Sequence, residues 1–382
     1  MKGHSDVTST KIEFLYLSEP DMIRAGVTNM AECVDTMSEM LGLFAAGDYR
    51  MAGVDNNSHG AMMTFPTEAT FPGMPVDGPD RRFMAMPAYL GGDFQTAGCK
   101  WYGSNVENKK HGLPRSILMF TLNDKDTGAP LAYMSANLLS AYRTGAIPGV
   151  GARYLARGDA KVVGIVGPGV MNRTSLESFL AVRPGIDTVK IFGRGEKSKT
   201  SFAAWVREKF PQITTLEMVD RMEDAVRESD IVSIAVPSDM GSENYPTVRE
   251  GWLKPGAFLC CSAHLAVDEA VVQQARHVAD ARSIYQAWAG ELPAPAHETV
   301  GLWGMHLVDR VRDGRMRPEQ FEDLGEIIQG KTPGRQSEDE IFIYSVGGMP
   351  VEDVAWATKV YRNAVRDGIG TTLKLWDEPT LA

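Results

Sequence analysis

Short apolar runs broken by polar, Gly/Pro-rich loops fill the first 150 residues: Phe14–Leu17, Ala61–Phe65, Phe83–Met86 and Ser116–Leu122. This spacing predicts strands of an antiparallel or mixed sheet. Ser135–Leu155 has helical periodicity, with an expected interruption at Pro148 and Gly149. From Ala160 the texture changes. The runs Lys161–Val166, Val189–Phe192, Ile231–Val236, Ala257–Cys261 and His277–Ala281 alternate with amphipathic stretches such as Ser201–Phe210 and Met222–Glu228. Strand and helix in repetition predict a parallel sheet covered by helices on both faces. After about residue 330 the rhythm ends. Gly334–Glu340 reads as a loop and Val351–Arg366 as a helix, and this tail is expected to rejoin the first part.

The first strand of the parallel region runs into Gly167, Pro168, Gly169, Val170, Met171 and Asn172. In a strand–loop–helix unit the first glycine permits the tight turn. The second lets backbone approach a pyrophosphate resting on the next helix N-terminus. Asn172 occupies the third glycine position, so the fingerprint is incomplete, but its context is that of a dinucleotide loop. The second strand ends in Gly193 and Arg194, followed by Lys197 and Lys199, where an NAD enzyme usually carries an acid for the ribose 2′-hydroxyl. A guanidinium suits a 2′-phosphate, so NADP(H) is expected to be preferred, with NAD(H) kept open by Glu196.

The 382 residues suit two domains. A formal net charge of −10 argues against nucleic acid as a partner, because phosphate binding needs a basic face. Cys33, Cys99, Cys260 and Cys261 form neither a CxxC pair nor a zinc spacing, so no metal site is expected and a reducing, cytoplasmic setting fits. Met1–Lys11 is polar and lacks a signal core, and no run of 18 apolar residues predicts a membrane span.

Several segments, in order and spacing, carry a resemblance. They are Ala97–Lys100, Gly112–Pro130, Ser140–Ala146, the glycine loop, Gly334–Ser337 and Ser345–Gly347. Together they resemble the ornithine cyclodeaminase/mu-crystallin family over nearly the whole chain, and within it a longer subgroup often labelled as a tyramine oxidase component. The resemblance implies an α/β fold: a Rossmann doubly wound parallel sheet (149–331) inserted in a second α+β substrate and dimerisation domain (1–148 plus 332–382). It implies a homodimer, a cofactor contact from Ser345, Val346 and Gly347, and a substrate carboxylate held by Lys100 and Arg143. Where the family's cyclodeaminases carry a threonine, Arg115 stands here; their catalytic aspartate falls at about Leu265, three residues before Asp268. Near an early arginine of the family lies His59. Trp101 and Tyr102 flank Lys100, as core aromatics or as pocket lining. His264 and His59 are candidate proton donors because imidazole titrates near neutrality. The expected activity is NAD(P)H-dependent reduction of a carboxylate-bearing imine, or the reverse amino-acid oxidation. A cyclodeaminase and a mu-crystallin-like NADPH and small-ligand binding protein are the alternatives.

Overall fold

The fold is described from a computed structural model covering residues 10–53 and 55–381; most of the polar stretch Met1–Lys11 lies outside the described residues. The first part contributes β1 (Ile12–Leu17), β2 (Tyr49–Met51), β3 (Ala61–Met63), β4 (Arg82–Leu90), β5 (Thr96–Ser104), β6 (Ser116–Asp124) and β7 (Pro130–Ser135). The second contributes β8 (Val162–Val166), β9 (Thr188–Phe192), β10 (Thr215–Val219), β11 (Ile231–Ile234), β12 (Thr247–Val248), β13 (Phe258–Cys261), β14 (Ala266–Val267), β15 (Arg276–Ala279), β16 (Phe321–Asp323) and β17 (Phe342–Ser345). The last strand, β18 (Thr371–Trp376), returns to the first sheet.

That sheet has the order β18-β1-β7-β6-β5-β4-β2, with β3 on β4. It is antiparallel except where β1 runs beside β7. Period-two alternation decides its faces. Along β4, Met84, Met86, Ala88 and Leu90 are buried while Phe83 and Pro87 are exposed. The buried face packs on the helices Met30–Ala46 and Pro350–Asp367, filling a methionine-rich core around Met37, Met40 and Met134.

The other large sheet is parallel throughout, in the order β10-β9-β8-β11-β13-β17-β15-β16. Its strand order reverses between β8 and β11, the switch point at which doubly wound sheets hold nucleotides. Two expectations need correction. The tail does not leave this sheet at residue 332: β17 lies between β13 and β15, so the chain returns to the first sheet only after Ser345. The helix Asn137–Leu155 also runs unbroken through Pro148. It is buried along most of its length, and Gly145 and Gly149 let it lie flat on the helix Val170–Val182. A Cβ added at Gly145 would sit 2.2 Å from Thr174, and one at Gly149 would sit 2.5 Å from Ser178. That close packing outweighs the missing hydrogen bond of one proline.

Candidate active site

The glycine loop joins two cavities. On one side a space of about 600 Å³ is lined by Gly167, Phe192, Gly193, Arg194, Met222, Val236–Asp239 and Tyr245. On the other a space of about 430 Å³ is lined by Val170 and Met171 together with His59, Lys100, Tyr102, Arg115, Arg143 and Gly347. Gly167 takes φ +93°, and a Cβ there would meet the Ala235 carbonyl at 2.5 Å. A Cβ on Gly169, by contrast, would project into open space, and Gly169 caps the helix Val170–Val182 without a side-chain hydrogen bond. Helix N–H groups left without a side-chain cap beside an open cradle fit a pyrophosphate. Asn172 replaces the third glycine with a strap: its Nδ2 donates to the carbonyls of Val166 (3.0 Å) and Gly167 (2.8 Å), and its Oδ1 accepts from Ser233.

The sequence-derived cofactor residues divide accordingly. Gly167, Gly193 and Arg194 line the first cavity, and Arg194 is exposed at its mouth. Pro168 packs against Gly193, where a Cβ would sit 2.6 Å from its ring. Asn172 is wholly buried and acts through the loop. Lys199 turns away, its ammonium on Glu196 (3.0 Å) and Asp220 (3.4 Å). Ser345 and Val346 are interior: Ser345 Oγ accepts from Gly304 N, and Val346 N donates to the Cys261 carbonyl. Only Gly347 of that trio reaches a cavity. It is held, with Gly348, by backbone donation to the buried Asp280 carboxylate.

Lys100 and Arg143 come together as expected. β5 presents Lys100 on its buried face, level with Met86 and Phe120 of the neighbouring strands. Arg143 arrives from the helix Asn137–Leu155. Two acids that sequence reasoning missed hold them. Asp353 accepts from Lys100 Nζ at 2.8 Å and from Arg143 Nε at 3.0 Å, while Glu352 accepts from Arg143 Nη1 at 2.5 Å. Glu352 also accepts from Met349 N at 2.9 Å and so caps its own helix. All four side chains are buried. Burial, then the neighbouring Arg143, brings Lys100 down to about 8 against the pull of Asp353. Burial lifts Glu352 to about 7 in spite of Arg143. Arg143 is pulled down by burial but held above its ordinary value by Asp353 and Glu352. The cationic pair thus persists at neutral pH in a site that would otherwise expel charge.

His59 lines the same cavity. Its ring stacks on Trp288 with centroids 4.9 Å apart, and Nδ1 donates to the Gly348 carbonyl at 2.9 Å, which leaves Nε2 as the acceptor. Burial, with Lys100 and Arg143 adding, lowers it to about 4, so it is neutral at pH 7 and a poor acid. His264 is not brought there. It lies 4.8 Å from the Tyr245 ring, behind the wall of the first cavity. Tyr102 faces the second cavity, whereas Trp101 is 47% exposed on the opposite face and stacks on Phe83. The position expected for a catalytic aspartate, Leu265, is wholly buried. Asp268 precedes the helix Glu269–Gln274 and accepts from Arg249 and from Glu250 N, away from the cavity.

A family model describing the ornithine cyclodeaminase/mu-crystallin family matches residues 26–368. The chain belongs to this family. Its relatives include the N-((2S)-2-amino-2-carboxyethyl)-L-glutamate dehydrogenase of Staphylococcus aureus, 27% identical over 95% of this chain and 99% of that protein. The Thermococcus litoralis Δ1-pyrroline-2-carboxylate reductase, solved with NADH and L-proline, superposes with a TM-score of 0.75 at 25% identity, covering 94% of this chain and 99% of that one. An archaeal alanine dehydrogenase dimer with bound NAD superposes with a TM-score of 0.76 at 25% identity, covering 96% and 100%. The chain therefore stands among the NAD(P)-dependent oxidoreductases that act on C–N bonds.

Proposed function

We propose that this protein reduces an imine bearing an α-carboxylate, or oxidises the corresponding amino acid, with Lys100 and Arg143 gripping the carboxylate. The carrying observation is the meeting, in one cavity, of that buried cation pair with Val170 and Met171 of the dinucleotide loop. When bound, NAD(P)H supplies the hydride. The chain's own part is orientation and charge. Asp353 holds Lys100 and Arg143 side by side, so their remaining donors converge on one anion and fix the substrate's Cα. A protonated imine accepts hydride at that carbon, and its C=N π pair becomes the nitrogen lone pair, so no strong acid is required in the cavity. Neutral His59, with Nε2 free to accept, suits an N–H of the substrate nitrogen. NADP(H) is the preferred cofactor in this reading, because Arg194 stands at the cavity mouth and no acid ends β9.

The outer face of the first sheet exposes Met63, Phe83, Trp101, Ile117, Tyr133, Leu373 and Leu375. Isolated exposed apolar residues are ordinary, but a contiguous sheet face of them marks an interface. We assign it to a second copy of this chain, in keeping with the alanine dehydrogenase neighbour described as a dimer. The functional assignment is tested by cofactor oxidation with cyclic imines and with 2-oxo acids plus ammonium. Turnover that disappears in Lys100→Met, with cofactor affinity retained, supports it; no turnover with any carboxylate-bearing imine refutes it.

A further inference from the structure

The substrate cavity carries four cationic side chains, Arg82, Lys100, Arg115 and Arg143, and no carboxylate among its described lining residues. They form two poles. The inner one, Lys100 and Arg143, is matched by Asp353 and Glu352 behind it. The outer one is built at the strand ends beside it. Arg82 opens β4, Arg115 immediately precedes β6, and Asp80 lies two residues before β4. One carboxylate serves both guanidiniums: Asp80 pairs with Arg82 and accepts from Arg115 Nε at 3.1 Å. Ser104, which faces Arg82 across the β4–β5 ladder, donates to Asp80 Oδ2 at 2.6 Å and itself accepts from Ser116 Oγ at 3.0 Å. The acid is therefore tied in place, and it orients two cations while neutralising one.

Tyr102 separates the poles. Its ring centroid lies 5.8 Å from Lys100 Nζ and 5.9 Å from the Arg82 guanidinium carbon, so the two cations stand no farther apart than the sum of those distances. A chain whose net charge is −10 has thus placed an uncompensated positive charge at a fixed distance from its carboxylate grip. The Arg82 and Arg115 side chains are 27% and 52% exposed, at the open end of the cavity where a substrate's far end would lie.

We propose that the substrate is an acidic imino or amino acid, with its α-carboxylate at Lys100 and Arg143 and a second, ω-carboxylate between Arg82 and Arg115. This rests on the α-carboxylate grip proposed above. Two guanidinium forks suit a planar carboxylate, and the same pair repels a substrate whose side chain ends in an ammonium.

The test is a specificity ratio. Oxidation of L-glutamate and L-aspartate is compared with that of L-glutamine, L-asparagine, L-alanine and L-ornithine, in the native protein and in Arg82→Gln and Arg115→Gln. The expected result is a preference for acidic over amide substrates that falls at least about tenfold in each variant, a shift a merely structural role would not give because both substrates would lose alike. An unchanged ratio, or a native preference for amide, methyl or ammonium side chains, overturns the proposal. Calorimetric binding of the same amino acids to the protein–cofactor complex separates the two readings. Selective binding of acidic ligands, lost in Arg115→Gln, upholds the second grip even if no amino acid turns over and the oxidoreductase assignment fails. Absence of both selectivity and turnover sinks both.

Discussion

Replacing Asp353 by Asn removes the charge that keeps Lys100 protonated while preserving size. Lys100 is held at about 8, and Asp353 is the main group opposing burial and Arg143, with Glu352 adding less. At an effective dielectric of about 20, unit charges separated by the observed 2.8 Å interact by about 6 kcal/mol. At 1.36 kcal/mol per unit that is an upper bound of about 4 pKa units. Water entry and relaxation cut this, so the expected downward shift is about one to two units, which places Lys100 at or below neutrality. If its ammonium grips the substrate carboxylate, kcat/KM of the native protein falls as pH rises through about 8. In Asp353→Asn the same limb moves to about pH 6–7, and at pH 7.5 the loss is about three- to twenty-five-fold. The assay is the pH profile of kcat/KM by cofactor absorbance, with the substrate imine's own titration measured separately. Breaking a buried pair also costs stability, on the order of 3–5 kcal/mol, so the melting temperature drops and should recover in part when a carboxylate ligand is added. Coincident alkaline limbs in the two proteins, with cofactor affinity intact, would refute the claim that Asp353 sets the protonation of a substrate-holding lysine.

Arg194→Ala should weaken NADP(H) more than NAD(H), measured as dissociation constants at one salt concentration; equal losses would remove the 2′-phosphate role from Arg194. Acid should destabilise the fold: burial lowers His59 and His277 to about 4 and His306 to about 3, so the unfolded chain binds more protons below pH 6.5 and stability drains away from there down to about pH 4. Glu352, raised by burial to about 7, and Asp323, raised by burial to about 6, act in the opposite sense as pH falls below those values, but they are two groups against three imidazoles displaced farther. Melting temperatures from pH 7.5 to 4.5 report the balance, and a flat profile would contradict it. Ornithine with catalytic NAD(P) should yield no proline, since Leu265 is apolar and Asp268 is engaged by Arg249 and Glu250 outside the cavity. Fast proline formation that is lost in Asp268→Asn would overturn this.

The central strands β8, β11 and β13 were legible because they are short, apolar and buried, and because a glycine loop follows the first of them; the largely exposed edge strand β10 was not. β5 was not, although it carries Lys100: Gly98, Cys99 and Gly103 break the apolar alternation, and its inward face holds a lysine. Pro148 read as a break because the local rule omits what close helix packing contributes. Asp353 and Glu352 were hidden by a plausible local role, since acids in a first turn complement the helix dipole. Their other role requires Lys100 and Arg143, more than 200 positions away in the chain. Lys199 and His264 illustrate the reverse. Each sits at a promising place in sequence, but local partners or a packed aromatic wall take the side chain elsewhere.

Hydride transfer between the cofactor and the Cα of a carboxylate-bearing substrate, held by Lys100 and Arg143, is open to direct measurement. NAD(P)H carrying deuterium at the nicotinamide C4 is incubated with the imine, and the amino acid formed is followed by mass spectrometry. The prediction is one deuterium at Cα for each cofactor oxidised in the native protein, and none in Lys100→Met at equal cofactor occupancy. Product formed without the label, or labelled equally well without Lys100, would contradict it.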